Sequence, residues 1–210
     1  MLKKCLLYLT SIITLIAILG VTACKLPSAD EMRQPDYGGS TEAEVAQAVI
    51  DDIATLFDGI RAGDTEGPIT RTFTEAQLTA LLAQKVSTGD GGISSILINI
   101  ESDAILMACE LANEGETKEV VAEFTLTANG DTVALTLGDF TWGGLLASIV
   151  PAARTAFIDQ LNSGLQTAMG DTEVTMDAIP VPEGATVDNI VLSEGEMTIT
   201  GTVTAEVLTE

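Results

Sequence analysis

Three cysteines, thirty-one Asp and Glu residues and not one histidine set the limits of the chemistry open to this 210-residue chain. A Ser or Cys nucleophile needs a neighbouring base, and the usual base is a His imidazole. The lysine alternative needs the spacing S-x-x-K, which does not occur. Zinc sites built on imidazole are excluded on the same ground. No Walker or dinucleotide-binding glycine motif is present. Two carboxylates could serve as the acid and base of a glycosidase. The acids here fall mostly at turns and outward strand positions, as Glu101, Glu123 and Glu194 do, and the aromatic platforms of sugar sites are scarce at 4 % of residues. Asp51 and Asp52 are neighbours on a helix and point about 100° apart, which reads as a solvated face. Asp90, in the run Ser87-Thr88-Gly89-Asp90-Gly91-Gly92, lacks the repeated acidic spacing of a calcium loop. Cys109 alternates with Ile105, Met107 and Leu111 and has no basic neighbour to activate its thiol, so it reads as a small buried apolar residue. These patterns single out no catalytic residue, no metal site and no cofactor, and an enzyme is not expected.

Cys24 stands in a context that specifies covalent chemistry. Lys3 and Lys4 lead the chain, residues 6–19 are apolar, and Val21-Thr22-Ala23 are small. A charged start, an apolar stretch and small residues before a cut form the layout of a secretory signal. Val21-Thr22-Ala23-Cys24 resembles the bacterial lipobox. That implies cleavage before Cys24, a diacylglyceryl thioether on its sulfur and acylation of the new amino group by a fatty acid such as palmitate. The apolar stretch is short of the ~20 residues that span a bilayer, which disfavours an uncleaved anchor. The expected location is the extracytoplasmic face of the cell membrane, held through lipidated Cys24. Cleavage removes Lys3 and Lys4 and no acid, so nine basic residues become seven and the charge moves from −22 to −24. Cys109 is then left without a cysteine partner. So acidic a chain disfavours nucleic acid, whose phosphates need Lys and Arg.

Periodicity supplies the elements that carry these residues. Residues 1–23 form the signal peptide. Residues 24–40 contain Pro27, Pro35, Gly38 and Gly39 without an apolar period, and read as a flexible tether. Residues 41–210 form one α+β domain. A first helix over 41–60 carries Val45, Ala48, Val49, Asp52, Ile53, Leu56 and Ile60 at helical spacing. Residues 69–73 suit a short strand, and Thr74-Glu75-Ala76-Gln77 fits a capping box before a second helix. The next fifty residues alternate: Ile96, Ile98 and Ile100; then Ile105, Met107, Cys109 and Leu111; then Val120, Ala122, Phe124 and Leu126; then Val133, Leu135 and Leu137. Asn129-Gly130 is a hairpin signal. Gly138-Asp139 shifts the parity before Phe140 and Trp142, which predicts a bulge. The result is a four-stranded antiparallel meander with one apolar face. Residues 151–169 form a long helix with the stripe Ala153, Phe157, Leu161, Leu165 and Met169, ended by Gly170. Three strands close the chain, over 174–181, 187–192 and 197–207.

The apolar stripes could pack into a filled core, or a curved sheet and its helix could enclose an elongated apolar tunnel. Periodicity does not separate the two. The run Ile69-Thr70-Arg71-Thr72-Phe73-Thr74-Glu75-Ala76-Gln77-Leu78-Thr79 resembles the opening of small bacterial domains of the tubular lipid-binding (TULIP-like) group. The helix over 151–165 with Leu161-Asn162 is similar to theirs. So is the close Val187-Asp188-Asn189-Ile190-Val191-Leu192-Ser193-Glu194-Gly195-Glu196-Met197-Thr198-Ile199-Thr200-Gly201. Relatives of that group include LmeA-type and YpmS-type proteins. The resemblance covers residues 69–207. It implies a curved antiparallel sheet wrapped on a long helix as a half-barrel, and an apolar ligand in the groove; the added helix over 41–60 and the strong acidity depart from the family pattern.

The residues expected to line that groove are Ile98, Ile100, Met107, Phe124, Leu126, Leu135, Leu137, Ile199 and Val203 on the sheet, faced by Phe157, Leu161 and Leu165. The expected function is to bind or shuttle a lipid or other apolar ligand at the envelope. The alternative is a structural or protein-interaction lipoprotein with a filled core. No particular protein partner is specified.

Overall fold

The computed structural model describes residues 26–62, 66–87, 93–113, 116–143, 145–146, 151–169, 174–181 and 184–204. The signal segment, Cys24, the loop at 88–92, Gly170 and the chain beyond Thr204 lie outside the described residues. Among the described residues, no helix is long and apolar enough to cross a membrane. The fold is α+β. Its elements are α1 (Glu42–Arg61), β1 (Gly67–Thr74), α2 (Glu75–Ser87), β2 (Ile93–Ile100), β3 (Ile105–Asn113), β4 (Glu116–Ala128), β5 (Thr132–Trp142), β6 (Leu145–Leu146), α3 (Pro151–Met169), β7 (Ile179–Pro180), β8 (Ala185–Ser193) and β9 (Glu196–Val203). The larger antiparallel sheet runs β2-β3-β4-β5-β6, with β7 also paired to β5, and is strongly curled. β1, β9 and β8 form a second antiparallel sheet in that order.

The meander and its register place side chains in rungs across the large sheet. Ile98, Met107, Ala122 and Phe140 stand opposite one another in sequence across β2 to β5, and Ile100, Ile105, Phe124 and Leu137 form the next rung. The expected bulge lies on β5: between the pairs Ala122–Phe140 and Phe124–Leu137, β5 uses one residue more than β4. Without that extra residue Phe140 would turn to the other face. Phe140 instead sits 5.1 Å from Phe157 of α3, ring centre to ring centre. Arg154 holds the start of α3 in place, donating to the carbonyls of Leu137 at 2.6 Å and Gly138 at 2.7 Å. Further along α3, Asn162 accepts the Met176 N–H at 2.9 Å and Gln166 donates to Val174 O at 3.2 Å.

α2 covers the free edge of β2. The start of α2 carries the expected capping box, Thr74 with Gln77, and the start of α1 carries another, Thr41 with Glu44. Two edge N–H groups of β2, on Ile98 and Ile100, donate to Thr79 Oγ1 at 3.0 Å and Glu75 Oε1 at 2.7 Å. Side-chain oxygens of a helix thus stand where another strand would pair, which blunts a sheet edge. α1 packs on α2. It buries Ala46 and Val49, with Ile50, Ile53 and Leu56 half-buried, while Ala48 and Asp52 are exposed. The inward stripe is therefore turned by part of a turn from the one the spacing gave.

Three expectations need correction. The closing strands lie in their own sheet with β1, joined to the large sheet by Val187 N–H donating to Gly130 O at 2.7 Å. Residues 174–181 are a turn closed by a Thr175–Ala178 bridge plus the two-residue β7, because Met176 bonds to Asn162 and Leu135 in place of a full strand neighbour. The third is the tether. Leu26 and Met32 are buried, at 6 % and 4 % exposure, against Leu106, Ala108 and Val121. Residues 26–33 are a strap on the outer face of the large sheet.

Candidate functional site

The apolar cluster on the inner face gathers eleven of the twelve side chains expected to line a groove. Ile98, Ile100, Met107, Phe124, Leu137 and Phe157 are buried within it; Leu126, Leu135, Leu161, Leu165 and Ile199 are half-buried against it. Val203 is buried outside this cluster, between Gly67 and Ala185 on its neighbouring strands. The β9 backbone there runs very close to β8. A Cβ on Gly201 would come 2.1 Å from Thr186 O, so only glycine fits. The Met169 side chain lies outside the described residues.

The cluster is buried at its middle and half-buried at its margins, at Ile93 and Trp142 on one side and at Leu126 and Leu135 on the other. Ile100, Val120, Ala122 and Phe157 are 0 % exposed. Beyond them Leu126 pairs with Leu135, and α3 continues to Leu161 and Leu165. These two pairs belong to the same end. Arg154 ties the start of α3 to Leu137 and Gly138, while Asn162 ties its later half to Met176, whose carbonyl accepts from Leu135 N–H at 2.8 Å. Six of the expected lining residues are thus buried. Leu126, Leu135, Leu161 and Leu165 form an apolar rim at one margin, and Ile199 is half-buried on β9.

The outer face holds what periodicity did not reveal. Leu97, Ala108 and Val121 form an apolar rung there, and Asn99, Leu106 and Glu123 form the next. A sheet apolar on both faces must be covered on both. Leu26, Ala29 and Met32 supply the cover, and each large side chain so buried contributes about 1.5–3 kcal/mol. Asn99, 3 % exposed, pairs with the strap as a strand backbone would. It accepts the Arg33 N–H at 2.7 Å and donates to Arg33 O at 2.9 Å. The Arg33 guanidinium reaches Glu75 at 2.5 Å, Glu101 at 3.2 Å and Glu194 at 3.5 Å, and donates to Ile100 O at 3.0 Å. One cation thereby joins the strap to α2, the end of β2 and the β8–β9 turn. The signal in the sequence was the apolar character of Leu97, Leu106, Ala108 and Val121, positions that an exposed face would fill with polar groups.

Between the strap, the start of α1, α2 and the strands β2 and β3 lies an open cleft of about 430 Å³. Asp30, Glu42, Glu110 and Glu119 give it an acidic lining. Ser95 there has a positive φ of 54°, at the irregularity where β2 shifts register against β3. Tyr37 donates to Glu42 at 3.1 Å, and burial with that carboxylate pushes its hydroxyl up to about 12.

Chemically reactive groups are muted. Burial raises the Cys109 thiol to about 12, so it stays protonated and inert at neutral pH. Among the described residues, no three His, Cys, Asp or Glu side chains meet as a metal site. No protein-family model matches the chain, and no curated protein matches it.

Proposed function

We propose that this chain is a lipid-anchored envelope protein that binds or shuttles an acyl chain or similar apolar ligand at the open rim of its inner apolar cluster. The observation that carries this reading is the gradient of burial along that cluster, from Phe157 and Ala122 at 0 % to the half-buried Leu126, Leu135, Leu161 and Leu165. An acyl chain gains about 0.8 kcal/mol per buried CH₂, so an apolar rim binds without strong polar contacts. The anchor is the Cys24 lipid that the leader implies, and the binding is non-catalytic.

The closed inner rungs favour a second reading, a structural or protein-interaction lipoprotein whose inner face is filled core. Native mass spectrometry of the chain from Lys25 onward separates the two. The strap is retained because it is part of the folded body. Offered envelope lipid extracts, the protein should retain an apolar ligand, and Leu165→Trp should lose it with little change in melting temperature. A parent protein that stays ligand-free in every extract would leave only the filled-core reading.

A further inference from the structure

We infer that the protein sits flush on its membrane, with the strap side of the large sheet toward the bilayer and α3 on the far side. This rests on the lipid-anchor reading of Cys24. The geometry follows from the strap. Only Lys25 separates Cys24 from Leu26, and Leu26 is buried on the outer face against Leu106 and Val121. Two residues of fully extended chain reach at most about 7 Å. A free segment over residues 24–40 would have reached about 55 Å. Met32 and the Asn99–Arg33 pairing prevent that extension, because each must come off the sheet before the chain can lengthen. The anchor point therefore stays within about 7 Å of Leu26 on that face of the sheet. The apolar rim beside α3 lies on the opposite face and is presented away from the anchoring leaflet. Its ligand would then come from, or go to, a carrier or surface across the envelope space. The orientation also brings Asp30 and its acidic surroundings close to the head groups, where anionic lipids repel them.

The experiment uses the full lipidated protein in phosphatidylcholine vesicles with an energy-transfer acceptor in the head-group layer. A fluorophore is placed through Asp30→Cys on the strap side or Asp159→Cys on α3. Both positions are exposed, and buried Cys109 does not compete for label. Transfer should be several-fold stronger from position 30 than from position 159. A flexible Gly-Ser stretch inserted between Lys25 and Leu26 should erase most of the difference. Equal transfer from the two positions, or no response to the insertion, on protein whose mass shows the Cys24 lipid would overturn the flush orientation and leave the anchor standing. Protein without that lipid mass would overturn both.

Discussion

The two faces of the large sheet are covered by opposite devices. The inner face is closed by α3 together with Phe73, Ile190, Leu192 and Met197 of the small sheet, which meet rungs that are apolar across all four strands, such as Ile98, Met107, Ala122 and Phe140. The outer face is closed by an irregular strap with two buried apolar anchors, Leu26 and Met32, and a polar clamp at Asn99 and Arg33. The inner cover depends on volume and shape. The outer cover depends on two buried side chains and on the hydrogen bonds between Asn99 and the Arg33 backbone. A change of volume should therefore be felt most inside, and a change of hydrogen bonding most outside.

The largest expected effect tests the inner face. Ala122 is 0 % exposed between Met107 and Phe140. Ala122→Trp should destabilise the protein by about 3 kcal/mol, since overpacking a filled core forces neighbours off their rotamers. Denaturant unfolding would show it. Leu165→Trp, at the half-buried rim, should cost well under half as much. Equal costs at the two positions would remove the distinction between closed core and open rim.

The next effect tests the outer face. Asn99→Ala leaves the N–H and C=O of Arg33 without their partner, at a cost of about 2 kcal/mol. Amide exchange should accelerate at Arg33 and its neighbours in the strap before it changes in β3 or β4. If β3 and β4 open together with the strap, the two covers are one cooperative unit.

The unequal legibility of the two faces has the same origin. Phe157, Leu161 and Leu165 recur at helical spacing, so α3 and the face it covers could be read directly. The β5 bulge showed as a parity shift at Gly138, and the capping box at Thr74 as a spacing. The strap has no period to detect. Pro27, Pro35 and the glycines at 38 and 39 do mark irregular chain, but irregular chain can still be fixed by two buried side chains and one asparagine. The full burial of the middle of the inner cluster was equally hidden. Alternation says which way Ile98 or Phe124 points, and not whether atoms or space stand opposite.

Cys109 gives a smaller test of the inner packing. With its thiol 1 % exposed and held near pKa 12, it should resist alkylation in native buffer at pH 8 and react fully in denaturant. Rapid native labelling would mean that the inner rungs breathe, and would widen the region open to a ligand.

The smallest effect concerns the charged end of the outer face. Glu123 stands opposite Leu106, on the rung that begins with Asn99. Burial, then the nearby charges of Asp139 and Asp103, hold its carboxyl above the usual range. A raised carboxyl pKa means that the folded state binds the proton more tightly than the unfolded chain does. The penalty for ionising Glu123 is absent below the unfolded pKa. It grows as pH rises through the window up to the folded pKa, and is complete above it. Glu123→Gln should therefore melt at the same temperature as the parent or slightly higher at pH 7. That advantage should fade as the pH falls below about 4, where the parent's carboxyl is protonated in both states. Because Glu123 is partly solvated, solvent screens the effect, and it should remain smaller than the cost of Asn99→Ala. Thermal melts of the two proteins between pH 3.5 and 7 would measure it. A Gln variant less stable than the parent at pH 7 would mean that the ionised carboxylate is a favourable contact, and that the outer face is held together at both ends of this rung.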